Sequence, residues 1–177
     1  MRGELNPGLV QLSLKFPAYF METLSPGQRR ESLLDKMGLC LTRIRTLADS
    51  YSAEVIALSV PYGPYVTRRD LETRRLLGFE VDDGALTSKE MDNAIRNAAM
   101  KGGVQLLSVT ESFRAEAPEP HLYFELDGHF TARGHQLFAD AVTPSLHATL
   151  LATLKRIRKP PEQGFDDPGG TPTSLNP

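Results

Sequence analysis

The chain is poor in cysteine, in net charge and in long apolar runs, and each shortage excludes a class of protein. Cys40 is the only cysteine among 177 residues, so an intrachain disulfide and a cysteine-built zinc cage are both ruled out. Lys and Arg number 20 against 22 Asp and Glu, which leaves no broad basic face to hold nucleic acid. No uninterrupted apolar run approaches the roughly 20 residues of a membrane span. Met1 to Pro7 lacks the basic-then-apolar layout of a secretory signal. No internal repeat is visible. The length suits one domain, and a chain of about 150 ordered residues buries about 70% of its unfolded surface, enough for a core without staples.

Hydrophobic periodicity divides the chain into alternating elements. Val10, Leu12, Leu14 and Phe16 alternate with polar residues behind Asn6-Pro7-Gly8, a pattern that predicts a strand with one buried face. From Arg29 to Tyr51 the period becomes helical, with Leu33, Leu34, Met37, Leu41, Ile44, Ala48 and Tyr51 on one stripe. Glu54 to Val60 and Val104 to Val109 are short apolar runs of the kind found in buried parallel strands. Between them, Thr67 to Leu77 reads as a polar helix, and Thr87-Ser88-Lys89-Glu90 fits a capping box ahead of a helix that Gly102-Gly103 closes. Ala115 to Pro120 reads as a loop. A last helix starts near Thr131 and turns Leu137, Phe138, Ala141 and Val142 inward, with Pro144 kinking it or opening a second helix. The expected fold is α/β: three layers, a parallel sheet flanked by helices, in a single domain over residues 1–158. Residues 159–177 carry five prolines and three glycines and read as a disordered tail.

The densest polar cluster, Glu125 to His135, lies between the last extended segment and the last helix, where open α/β sheets place their ligands. One glycine separates Asp127 from His129. A tight turn there brings carboxylate to imidazole, fixing the tautomer and leaving the second ring nitrogen free to take a proton. The structural alternative has Asp127 capping the next helix and His129 packing. A metal alternative uses His129 and His135 with Asp127, Glu125 or His121. Arg29-Arg30, Arg68-Arg69 and Arg74-Arg75 read as solvated helix faces, Lys155 to Lys159 as a basic run at a helix end, and Cys40 as a core residue.

The stretch Leu122-Tyr123-Phe124-Glu125-Leu126-Asp127-Gly128-His129-Phe130-Thr131-Ala132-Arg133-Gly134-His135 and the amphipathic segment after it resemble the C-terminal catalytic block of SGNH/GDSL-type hydrolases. The resemblance extends more loosely over residues 6–155. It implies that His129 is a general base, that Asp127 orients it, and that the chemistry is serine-mediated esterase or acyltransferase chemistry on a small-molecule, glycan or lipid ester without a metal or organic cofactor. The Gly-Asp-Ser nucleophile block of the family is absent, and Ser59 and Ser108 lie within apolar runs rather than on an exposed elbow. The chain therefore resembles the C-terminal part of such an enzyme, inactive alone; the alternative is a non-catalytic interaction or ligand-binding module. In that incomplete fold Leu9–Leu14 is an exposed strand edge through which the chain is expected to self-associate.

Overall fold

Asn6-Pro7-Gly8 opens a helix, not a strand. In the computed structural model, which describes residues 5–116 and 121–158, the Asn6 side chain accepts a hydrogen bond from the Gly8 amide at 2.9 Å, and Pro7 occupies the first turn of α1, Pro7–Lys15. An N-cap with proline behind it satisfies one helix-start donor and removes another. Leu9 and Ser13, four residues apart, are the buried positions, while Leu14 is exposed. The alternation in the sequence is thus overridden by the cap, and Leu9–Leu14 offers no strand edge to a second chain.

A short helix α2, Tyr19–Leu24, inserts Phe20 among Tyr62, Tyr65 and Phe79. The long helix α3, Gln28–Ser50, follows. It matches the predicted span and part of the predicted stripe: Leu34, Met37, Leu41 and Ala48 are half-buried, Leu33, Ile44 and Tyr51 are exposed, and Gly38 is the one fully buried residue of the helix. Gly38 marks the closest approach on that face. It faces α5, Glu90–Lys101, so closely that an added Cβ would lie 3.2 Å from the Ala98 carbonyl. Cys40, expected in the core, is exposed.

Two strands, β1 (Ile56–Ser59) and β2 (Gln105–Ser108), pair in parallel from Ile56↔Gln105 to Ser59↔Ser108. They are the whole sheet among the described residues, one strand fewer than the pattern predicted. The chain is mostly helical around a small parallel sheet, an α/β arrangement in the coarse sense. Between the strands lie a 3-10 turn at Gly63–Tyr65, then α4, Arg68–Leu76, and α5. The Thr67 hydroxyl caps α4 by accepting from the Asp70 amide at 3.0 Å. The predicted capping box at Thr87 does not form. Thr87 ends a preceding 3-10 turn, and the Ser88 hydroxyl accepts from the Glu90 amide at 3.2 Å instead.

Helix α6, Thr110–Glu116, follows β2 directly and takes in Ala115 and Glu116 of the expected loop. Helix α7, Ala132–Arg158, runs unbroken through Pro144. Two apolar clusters form the core. One joins Phe113, Leu122, Tyr123, Leu137 and Val142; the other joins Phe20, Tyr65, Leu71, Phe79 and Ala85. By length and composition α7 could cross a membrane, a property hidden from the run-length argument because Thr, Ser and His interrupt its Leu and Ala. Its first half packs into the core, and Leu150, Leu151 and Leu154 near its end are exposed. The expected tail at 159–177 lies outside the described residues, as does 117–120 of the expected loop.

Candidate functional site

The segment after α6 folds back on itself through an isolated antiparallel bridge between Tyr123 and Phe130. Phe124 donates its amide to the His129 carbonyl at 2.8 Å, and the Gly128 amide returns to the Phe124 carbonyl at 2.8 Å. Gly128 takes φ +82°, the left-handed region where a side chain is costly. Glycine therefore makes possible the turn that Asp127 and His129 straddle. Thr131 anchors its far side: its hydroxyl donates to the His121 carbonyl at 2.7 Å and accepts from the Gly134 amide at 3.2 Å, at the start of α7.

Asp127 and His129 meet. The His129 Nδ1 lies 2.7 Å from Asp127 Oδ2. An ionised carboxylate can only accept, so Nδ1 carries the proton and Nε2 is left with its lone pair outward. The His129 side chain is 76% exposed and that of Asp127 30%. Asp127 is held by its second oxygen: the Asn6 side-chain amide donates to Oδ1 at 3.0 Å, and the Asn6 backbone amide donates to the Leu126 carbonyl at 3.1 Å. Asn6 thus uses its carbonyl oxygen to start α1 and its amide nitrogen to orient a carboxylate 121 positions away. Sequence reasoning missed this role. The Asn-Pro signal for a helix start was present, but nothing local points from there to Asp127. Asp127 is not the cap of the last helix; it is the imidazole's partner.

The other candidates separate from this pair. The His135 ring packs edge-on against Phe130 with centroids 5.5 Å apart. His121 and Glu125 are both engaged by Arg69, whose Nη2 lies 2.9 Å from Glu125 Oε2. Among the described residues no group of three His, Cys, Asp or Glu side chains is arranged to hold a metal ion. The Ser108 hydroxyl donates to Asp92 Oδ1 at 2.9 Å. Ser59 is buried at the end of β1, on the wall of a cleft of about 130 Å³ that also takes in Pro61, Tyr62, Tyr65, Met91 and Thr110. That cleft opens beyond the carboxyl ends of both strands, where open α/β sheets bind ligands. Among the described residues no serine hydroxyl is hydrogen-bonded to His129.

Beneath the turn lie buried ionisable groups. Tyr123 donates its hydroxyl to the Pro61 carbonyl at 2.9 Å, tying the site loop to the end of β1. Burial, with the nearby Asp70 charge, pushes the Tyr123 phenol well above its ordinary value. Burial likewise raises the Asp70 carboxyl, against the opposing pull of the Thr67 hydroxyl and of Arg74.

No protein-family model, curated protein or solved structure matches this chain. Its chemistry therefore has to be read from the Asn6–Asp127–His129 array itself.

Proposed function

We propose that the chain carries the general-base half of an SGNH-type serine esterase or acyltransferase site, with His129 as base and Asp127 as its orienting partner. The observation that carries this reading is the Asp127–His129 hydrogen bond of 2.7 Å, with Asp127 steadied from behind by Asn6. An imidazole held in the Nδ1–H tautomer presents Nε2 to a hydroxyl, takes its proton as the oxygen attacks an ester carbonyl, and returns it to the leaving alcohol. The paired carboxylate stabilises the imidazolium formed between those steps. The nucleophile in this reading is a serine from a segment beyond those described or from a partner chain. The small parallel sheet is then part of a three-layer, flavodoxin-like sheet flanked by helices.

The second reading, a non-catalytic α/β binding module, is favoured by one observation: Ser59 and Ser108 face the cleft region and Asp92, and neither bonds His129.

The test is to read the gene upstream of Met1 and assay aryl acetate hydrolysis by the chain alone and by any longer product. The expected outcome is background hydrolysis by the chain alone. The longer product, containing an in-frame Gly-Asp-Ser segment, turns over, and His129→Ala lowers its kcat by about 10⁶-fold. A stop codon close upstream, with no hydrolysis by the chain, removes the hydrolase reading in favour of the binding module.

A further inference from the structure

Arg74 was read from sequence as part of a solvated basic pair, and it is the largest fully buried side chain in the described structure. An arginine stays charged in proteins, and a buried cation is costly unless it is paired and fully hydrogen-bonded. Arg74 is neither fully bonded nor idle. Its Nη1 donates to the Glu125 carbonyl at 3.2 Å, while Nε and Nη2 have no hydrogen-bond partner. A helix can accommodate Leu or Met at such a position without this desolvation, so the guanidinium calls for an explanation other than packing.

Its surroundings supply one. Nη2 faces Gly128 so closely that a Cβ built there would lie 2.5 Å away. The turn between Asp127 and His129 therefore closes end-on against Nη2 of the guanidinium, and the glycine serves this contact as well as its own φ. Asp70, one helical turn before Arg74 and 5% exposed, and Asp127, across the turn, are its carboxylate neighbours; Tyr62 is its third polar neighbour. Asp70 is held by the Thr67 hydroxyl. The charges of a carboxylate fixed in α4 and of the carboxylate that holds His129 both act on the cation. It also grips the peptide chain two residues before Asp127 through the Glu125 carbonyl.

We propose that Arg74 is a positioning residue for the Asp127–Gly128–His129 turn, its guanidinium holding the Glu125 carbonyl through Nη1 and abutting the Gly128 backbone through Nη2 so that Asp127 stays paired to His129. This role rests on the reading of that pair as the base of an acyl-transfer site, and it adds a residue from another element to the array. Arg74 touches neither imidazole nor reacting atoms, so its effect passes entirely through Asp127.

The test reads the pairing directly and needs no turnover. Imidazole ¹⁵N chemical shifts, recorded well above the histidine titration range and assigned by loss of one signal set in His129→Gln, give the tautomer ratio of His129. The wild-type ring is expected to be predominantly Nδ1–H, because Asp127 accepts from that nitrogen. In Arg74→Met, which keeps the volume and removes the charge and the donor, the ratio of Nδ1–H to Nε2–H falls by about fivefold, the equivalent of one ordinary net hydrogen bond. A folded Arg74→Met protein, judged by far-ultraviolet circular dichroism, that keeps the wild-type ratio overturns the proposal. If Arg74→Met does not fold, Arg74→Lys takes its place: it keeps a cation but loses the fork that reaches Glu125. A smaller fall in the same direction is then expected, and an unchanged ratio overturns the role. The two readings separate cleanly. A tautomer ratio that follows Arg74, together with a stop codon close upstream and no hydrolysis, removes only the hydrolase reading, and an unchanged ratio beside a longer product that hydrolyses the ester removes only the positioning role.

Discussion

Tyr123 shows how much a single side chain can link in this molecule. Its ring lies 6.1 Å from that of Phe113 and 5.2 Å from that of Phe130, inside the core under the site, and its hydroxyl reaches the Pro61 carbonyl at 2.9 Å. Because burial raises the phenol's pKa in the folded state, the folded protein keeps a proton that the unfolded chain releases once the pH passes the ordinary tyrosine value near 10. The unfolded state then binds fewer protons, so stability falls as pH rises through that value. Tyr123→Phe is expected to cost about 1 kcal/mol at neutral pH through the lost hydrogen bond, and to lose less than the wild type between pH 9 and 11. Urea denaturation at both pH values checks the sign; a Phe variant with the wild-type alkaline slope refutes the assignment. Asn6 and Arg74 make the same point about the site. Each is polar, each comes from a different helix, and each acts at a distance in sequence that no local motif spans.

At the scale of elements, close backbone approach decides more than side-chain pattern. Gly102, at the end of α5, lies where a Cβ would meet the Leu41 Cβ at 2.6 Å and the Gly38 carbonyl at 3.0 Å in α3. Gly102→Ala is therefore expected to push α5 off α3 and to destabilise the protein by about 1–3 kcal/mol, the usual range for overpacking. A denaturation midpoint unchanged from wild type would contradict that contact. Gly134 is tighter still, its Cβ position falling 2.2 Å from the Leu122 carbonyl, so the start of α7 and the site loop are pressed together through backbone. These contacts explain what could be read in advance. The spans of α3, α5, β1, β2 and α7 follow from apolar periodicity, and Asp127 and His129 from their spacing around a glycine. The α1 error arose because Leu9-Val10-Gln11-Leu12 satisfies both periods, and the Asn6 cap with Pro7 decided between them. In α3 the half-buried Leu34, Met37, Leu41 and Ala48 follow from the pattern, whereas Gly38, invisible to a hydrophobic pattern, is the point of closest approach. Arg74 was misread because nothing in Arg74-Arg75 says which of two adjacent arginines turns inward: Arg75 reaches the Val81 carbonyl, Glu72 and Asp83 at the surface, while its neighbour is sealed in.

For the whole molecule, the sheet is small and its two strands are far apart in the chain. Residue 56 pairs with residue 105, and closing a loop of that length costs about 2 kcal/mol more in chain entropy than closing a four-residue hairpin. Four ladder positions cannot offset that alone. The cost has to be met by contacts formed earlier, and the Gly38–Gly102 crossing of α3 and α5 brings β2 up to β1 because α5 leads straight into β2. Folding is thus expected to be ordered, helix docking before strand pairing. Leu41→Ala at the α3–α5 crossing should chiefly slow refolding, whereas Leu107→Ala in β2 should chiefly speed unfolding; stopped-flow chevrons that show the reverse would put strand pairing first. Late pairing has a consequence for the site itself. The Tyr123 hydroxyl can find the Pro61 carbonyl only after β1 is seated, so the Asp127–His129 turn is expected to be fixed late, and a chain caught partway through folding to have its helices but not that pair.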